Sequence, residues 1–271
     1  MKDLVIFLTI TLLLQSCLPT NKKIPNLIKL GIPDSFFCDI QSINANVKVH
    51  PEYSATGEKP LQYKGCEQLS KNLNAAHGYW VVRTFIDNLK LDKHRYIEIF
   101  PARVFNAKGE TQSDFWSNAF KYFKQKEIDI ILSAAGILTD KDIVSIQNPL
   151  LLANGIKKSK KFDERSLWPQ KTTNQNTLFL THYYRSSVKN NERIGFIDKA
   201  TLFQNKIDYI VANPGRGFQS SSYALAYGAA KAFSYCFSEL ENFSRKDLKQ
   251  CLDKQSKPVK ILGEKQKYLE L

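Results

Sequence analysis

The sequence predicts a three-layer α/β fold, with a mostly parallel central sheet and helices on both faces. Two observations carry this. Short apolar runs alternate with longer stretches of helical character along the chain, the order from which parallel sheets with crossover helices are built. The runs are also apolar at consecutive positions, as strands covered on both faces require.

Taken in order, the first run is 36–40 (Phe-Phe-Cys-Asp-Ile), read as a buried strand. Residues 75–89 follow as a helix. The run 96–100 is the next strand, 113–124 the next helix and 129–133 the strand after it. Three further runs, 150–153, 178–181 and 209–212, complete the expected sheet, and the alanine-rich stretch 222–240 is a long helix. The polar stretches 41–71 and 155–177 read as surface loops long enough to shape a cleft. There is no internal repeat, low-complexity tract or interdomain linker.

The N-terminus reads as an address. Lys2 precedes an apolar run over 4–14, of signal-peptide length and too short to span a bilayer. It ends in Leu14-Gln15-Ser16-Cys17, which resembles the lipobox of bacterial lipoproteins and marks Cys17 as the lipidated residue. The expected organisation is a signal peptide over 1–16, a tether over 17–32 and one domain over 33–271. Leu18 in place of aspartate points to the outer membrane in a cell that has one, hence a lipid-anchored protein of the bacterial envelope.

The chain carries 39 Lys and Arg against 26 Asp and Glu, a formal charge of +13. The basic residues are scattered around no nucleic-acid motif, so attraction to anionic lipid or wall polymer is expected and nucleic-acid binding is not. No C-x-x-C pair suggests zinc, and no acidic cluster argues for calcium. Neither a metal nor another cofactor is expected. Besides Cys17 the cysteines are Cys38, Cys66, Cys236 and Cys251, and the pair Cys236–Cys251, near facing ends of the last two helices, is the expected disulfide.

Three residues stand out as chemistry. Asp39 closes the first apolar run, an acid too costly to bury without a partner. His77 precedes Gly78 at a helix start, where the glycine admits a close neighbour. Ser222 lies in a polar turn, Gln219-Ser220-Ser221-Ser222, that runs into the alanine-rich helix. A serine nucleophile needs a nearby base, and the base needs a carboxylate to hold its tautomer. The chain order Asp, His, Ser is the subtilisin order.

On these motifs the chain resembles the subtilisin-like serine proteases. His77-Gly78-x-x-Val81 is similar to the family's His-Gly-Thr-His-Val, and Ser221-Ser222-Tyr223-Ala224 to its Thr-Ser-x-Ala. Aligning Ser220 as the nucleophile would put Gly228 at the family's helix glycine but lose the matches of Ser221 to the threonine and Ala224 to the alanine. Ser133-Ala134-Ala135-Gly136 resembles the end of the substrate-binding strand, and Asn154 with Gly155 the segment whose asparagine supplies the oxyanion hole. The chain departs from the family at Ile40-Gln41, where a hydroxyl residue and glycine usually follow the acid, and at Tyr79-Trp80. Too few residues separate Cys17 from Asp39 for the usual folding propeptide.

The resemblance implies an endopeptidase acting on a peptide or protein substrate through Asp39, His77 and Ser222, with Asn154 holding the oxyanion and Ser133 to Gly136 pairing with the substrate backbone. The alternative is an inactive relative that binds peptides or a partner through the same cleft. Sequence indicates no oligomeric state.

Overall fold

The computed structural model describes residues 27–38, 40, 45–59, 76–139, 150–153, 166–168, 178–182, 208–211, 221–240, 244–261 and 264–269. Its elements in chain order are β1 (Leu27–Asp34), β2 (Val47–Val49), β3 (Tyr53–Ser54), α1 (His77–Asn88), β4 (Tyr96–Arg103), α2 (Ser113–Gln125), β5 (Ile130–Ser133), β6 (Ile137–Thr139), β7 (Leu150–Ala153), β8 (Ser166–Trp168), β9 (Leu178–His182), β10 (Tyr209–Val211), α3 (Ser221–Glu239), α4 (Arg245–Gln255), β11 (Ser256–Ile261) and β12 (Glu264–Leu269).

The main sheet runs β11-β12-β10-β9-β7-β5-β1-β4-β2, with β3 also pairing β4. Its pairings are parallel except for β11 with β12. A separate antiparallel pair, β6 with β8, lies apart from it. The architecture is therefore the expected α/β one with a mostly parallel sheet.

Strand alternation assigns the two faces. Ile28, Leu30 and Ile32 of β1, Ile97 and Ile99 of β4, and Ile130 and Leu132 of β5 join one core with Val81, Val82 and Phe85 of α1 and Phe233 of α3. Phe100 and Ala102 of β4 and Ile131 of β5 join the opposite core with Trp116, Phe120 and Phe123 of α2. On β1 the same alternation carries Asp34 onto the α1 face.

The first strand corrects the sequence reading. Residues 36–38 are not strand but the loop that leaves β1, and β1 begins at Leu27, inside the stretch expected to be a tether. Gly31 and Pro33, both poor strand residues, disguise it. A Cβ on Gly31 would lie 3.1 Å from the Phe123 ring, so the glycine lets α2 pack onto the sheet. Pro33 stands beyond the stretch registered with β5, at Leu30 and Gly31, so its missing N–H falls outside that ladder.

The C-terminal part is tied on by side chains. A disulfide joins Cys236 of α3 to Cys251 of α4. Asp253 accepts from Tyr209 Oη at 2.7 Å and from Lys249 and Lys267, each at 2.6 Å. Burial opposes its charge, but these three donors hold its carboxyl down at about 2. Cys38 is disulfide-bonded as well.

Helix α3 lies close to the sheet because its inner face is small: Ala224, Ala226, Ala229 and Ala230 are fully buried. Gly228 is the tightest point, where a Cβ would stand 2.6 Å from a Val211 methyl and 2.7 Å from Val211 Cβ. Gly228→Ala should therefore destabilise the fold by about 1–3 kcal/mol through overpacking, despite alanine's better helix propensity. Urea denaturation of the variant checks this; an unchanged or raised midpoint would contradict the packing.

Candidate active site at the end of the central strand

Asp34 is the last residue of β1, on the face that packs under α1. Its Oδ1 lies 2.7 Å from His77 Nδ1, at the first residue of α1. The Ser35 N–H donates to the same oxygen at 2.6 Å, while Oδ2 is buried with no partner among the described residues. The side chain of Asp34 is 1 % exposed and that of His77 24 %. The acid is sealed, and the imidazole can still be reached.

This pair comes about through a tertiary cap. Ala76, at the N-cap of α1, supplies no side-chain hydrogen bond, so the first N–H groups of the helix need other acceptors. The loop leaving β1 provides them: Gly78 N–H donates to Ser35 Oγ at 3.2 Å and Tyr79 N–H to the Phe36 carbonyl at 3.0 Å. Gly78 makes the approach possible, since a Cβ there would meet Phe37 at 2.9 Å and the Phe36 carbonyl at 3.1 Å.

The other side of the loop rests on a buried cation. Arg103 ends β4 in register with Asp34 and is fully buried. It pairs with Glu52 at 2.9 Å and Glu58 at 3.0 Å, donates to Ser54 Oγ and the carbonyls of Glu58 and Lys59, and lies over the Phe36 ring. Glu52 in turn accepts from Phe37 N–H at 3.1 Å. Burial pushes the Glu52 carboxyl above its ordinary value, although the Phe37 N–H and Arg103 pull against it.

The carboxylate found against His77 is Asp34; Asp39, the acid expected from the sequence, lies outside the described residues. Asp34 is followed by the hydroxyl residue Ser35, whereas Asp39 is followed by Ile40. The alternation of Ile28, Leu30, Ile32 and Asp34 was the available signal. It was outweighed by the denser apolar run beginning at Phe36.

Ser222 is the second residue of α3. It is buried, and its Oγ donates to the Ala134 carbonyl at 3.2 Å. The neighbouring Tyr223 is what meets His77, with ring centroids 5.9 Å apart and planes at 27°. Ser133 closes β5, is fully buried, and donates to the Ala135 carbonyl at 2.8 Å. Ala134 is buried beside it, and Ala135 and Gly136 are half-buried at the carboxyl end of β5, next to β1 in the sheet. Asn154, Ser220 and Cys17 lie outside the described residues. Among the described residues no cluster of His, Cys, Asp and Glu could hold a metal, and no helix is long and apolar enough to cross a membrane.

Burial works against a charged His77, but the charge of Asp34 and its hydrogen bond together outweigh it, and the imidazole's pKa is raised. Proton binding by His77 therefore stabilises the folded chain below the ordinary value of about 6.5, and the gain is lost as pH rises through the raised pKa. In Asp34→Asn only the burial remains, so His77 should titrate below its ordinary value by NMR. The variant's loss of stability should be larger at pH 5.5 than at pH 8.5; a loss independent of pH would show that the pair is not coupled.

No family model matches the chain, and no curated protein is significantly similar to it in sequence. Solved structures are similar in fold. The A-subunit of the AB5 toxin from E. coli matches at 14% identity and a TM-score of 0.53, over 91% of this chain and 90% of that one. A lanthipeptide protease matches at 12% identity and a TM-score of 0.51, over 86% and 81%. The prenylagaramide maturation protease PagA matches at 15% identity and a TM-score of 0.49, over 90% of each chain. The first two likenesses bear on the fold alone: this chain shares the α/β architecture of those structures, built on a mostly parallel sheet.

Proposed function

We propose that the protein is a serine endopeptidase of subtilisin type in which His77 is the general base, Asp34 its orienting acid and Ser220 the nucleophile. The observation that carries the reading is the 2.7 Å contact of Asp34 with His77 Nδ1. It lies at the carboxyl end of a central parallel strand, where α/β proteins build their sites. Asp34 accepts from the Nδ1–H and so leaves the lone pair on Nε2 to take a proton.

In the reaction the serine Oγ bonds to the peptide carbonyl carbon as its proton passes to His77 Nε2. The same proton then goes to the leaving amine as the C–N bond breaks. Water repeats the sequence to release the acyl group. Asn154, which follows β7, is the proposed oxyanion donor, and Ser133 to Gly136 the proposed partner of the substrate backbone.

Two points favour Ser220 over Ser222. The Ser222 hydroxyl is buried against the Ala134 carbonyl. Gly228, where the packing of α3 on β10 admits no side chain, falls at the helix glycine only when Ser220 is aligned as the nucleophile.

Export with lipidation at Cys17 remains part of the proposal. The apolar run before Ser16-Cys17 supports it, as do the disulfides at Cys38 and Cys236–Cys251, which need an oxidising compartment.

A fluorophosphonate probe should label the folded protein, with the adduct on Ser220 by peptide mass spectrometry. Ser220→Ala should abolish labelling, whereas Ser222→Ala should keep it and lose thermal stability. On a peptide substrate Asp34→Asn should lower kcat by roughly 10⁴, as loss of the orienting acid does in such triads. An adduct on Ser222 would reverse the choice of nucleophile. Absence of labelling would overturn the peptidase in favour of a peptide-binding protein.

A further inference from the structure

The contact between His77 and Tyr223 has no counterpart in the motifs that suggested the triad. Tyr223 is the third residue of α3 and is half-buried. Its ring faces the imidazole at a centroid distance of 5.9 Å and an interplanar angle of 27°, inside the roughly 6 Å over which an aromatic face attracts a cation. The small inner face of α3 allows this approach: Ala224, Ala226 and Gly228 let the helix sit close to the sheet, beside α1.

We propose that Tyr223 is a positioning residue for His77, its ring steadying the imidazole and favouring the cation formed when the base takes a proton. Asp34 holds His77 by one nitrogen only, and a ring held at one point can still tilt. A flat neighbour against its face restrains that motion. The gain is also selective. A neutral imidazole gains a stacking contact, but a protonated one additionally meets the negative face of the tyrosine quadrupole. The interaction therefore strengthens as the proton transfers, which is the condition for lowering a barrier and not merely tightening the ground state.

The surrounding charges leave this role open. From β1, Asp34 faces His77 at its Nδ1 edge. From β4, Arg103 stands in register with Asp34 but is paired with Glu52 and Glu58. From α3 the group against the imidazole face is Tyr223 itself. Burial raises the pKa of its hydroxyl and the negative charge of Asp34 raises it further, so the ring stays neutral wherever His77 titrates.

The inference rests on His77 acting as the base, but its test needs no turnover. The His77 pKa would be measured by NMR in the parent, Tyr223→Phe and Tyr223→Leu, together with the downfield Nδ1 proton that reports the bond to Asp34. Tyr223→Phe should leave the pKa unmoved. Tyr223→Leu should lower it by roughly half a pH unit, about three-fold in proton affinity, with the downfield proton retained. An unchanged or raised pKa in Tyr223→Leu would overturn the proposal. So would a fall accompanied by loss of the downfield proton, since Tyr223 would then act by holding the Asp34 bond. If serine labelling fails while the pKa follows this pattern, the peptidase reading falls and the Tyr223–His77 coupling stands.

Discussion

The joint between the end of β1 and the start of α1 governs the rest of the structure, because two elements meet there that each leave polar groups unsatisfied. A helix beginning at His77 without a side-chain cap has N–H groups that need acceptors, and a strand ending in a buried aspartate has a carboxylate that needs donors. The loop 35–37 settles both. Ser35 Oγ and the Phe36 carbonyl take the helix N–H groups, and Ser35 N–H with His77 Nδ1 supplies the carboxylate. The closeness of the loop to the helix is set by one missing side chain, at Gly78.

Charge burial is arranged around the same joint. Asp34 and Arg103 are neighbours in register on adjacent strands, both fully buried, yet each has its own partners. Arg103 is occupied by Glu52, Glu58, Ser54 and two backbone carbonyls, and Asp34 by Ser35 and His77. Had Arg103 taken Asp34 as its partner, the acid would be neutralised and His77 would lose the charge that raises its pKa. The Glu52–Arg103 network thus works twice, supporting the loop from behind and keeping a buried cation occupied beside the acid. Buried charges of this kind contribute little net stability but are costly to leave unpaired, so the arrangement constrains geometry more than it adds free energy.

The helix bearing the serine run is positioned by the absence of bulk. Alanines and Gly228 let α3 approach β10 and α1, and this closeness brings Tyr223 to His77. The Cys236–Cys251 disulfide and the Tyr209–Asp253–Lys267 contacts then bind α4 and the C-terminal hairpin to the same unit.

Much of the layered α/β architecture was legible in the sequence, since periodicity and apolar runs report which faces are buried. The runs at 96–100, 129–133, 150–153, 178–181 and 209–212 and the three helices lie within a residue or two of the observed elements, except that β4 continues to Arg103. His77 was also legible, because a histidine before a glycine at a helix start is a local pattern. The identity of the acid was not. Local composition favours the run at Phe36 over one interrupted by Gly31 and Pro33. Those two residues are acceptable in a central strand only because Phe123 fills the space above Gly31 and the pairing with β5 stops before Pro33. Likewise nothing local to Tyr223 or Arg103 tells that one lies against an imidazole and the other behind an acid. Sequence by itself determined the three helices and five of the sheet strands and which faces they bury, because that depends on neighbours along the chain. It did not determine β1, α4, the C-terminal hairpin or the short strands within the expected loops. Which carboxylate meets His77, and which ring covers it, was decided by the tertiary structure, because those contacts join residues 43 and 146 positions apart, through packing that no local pattern encodes.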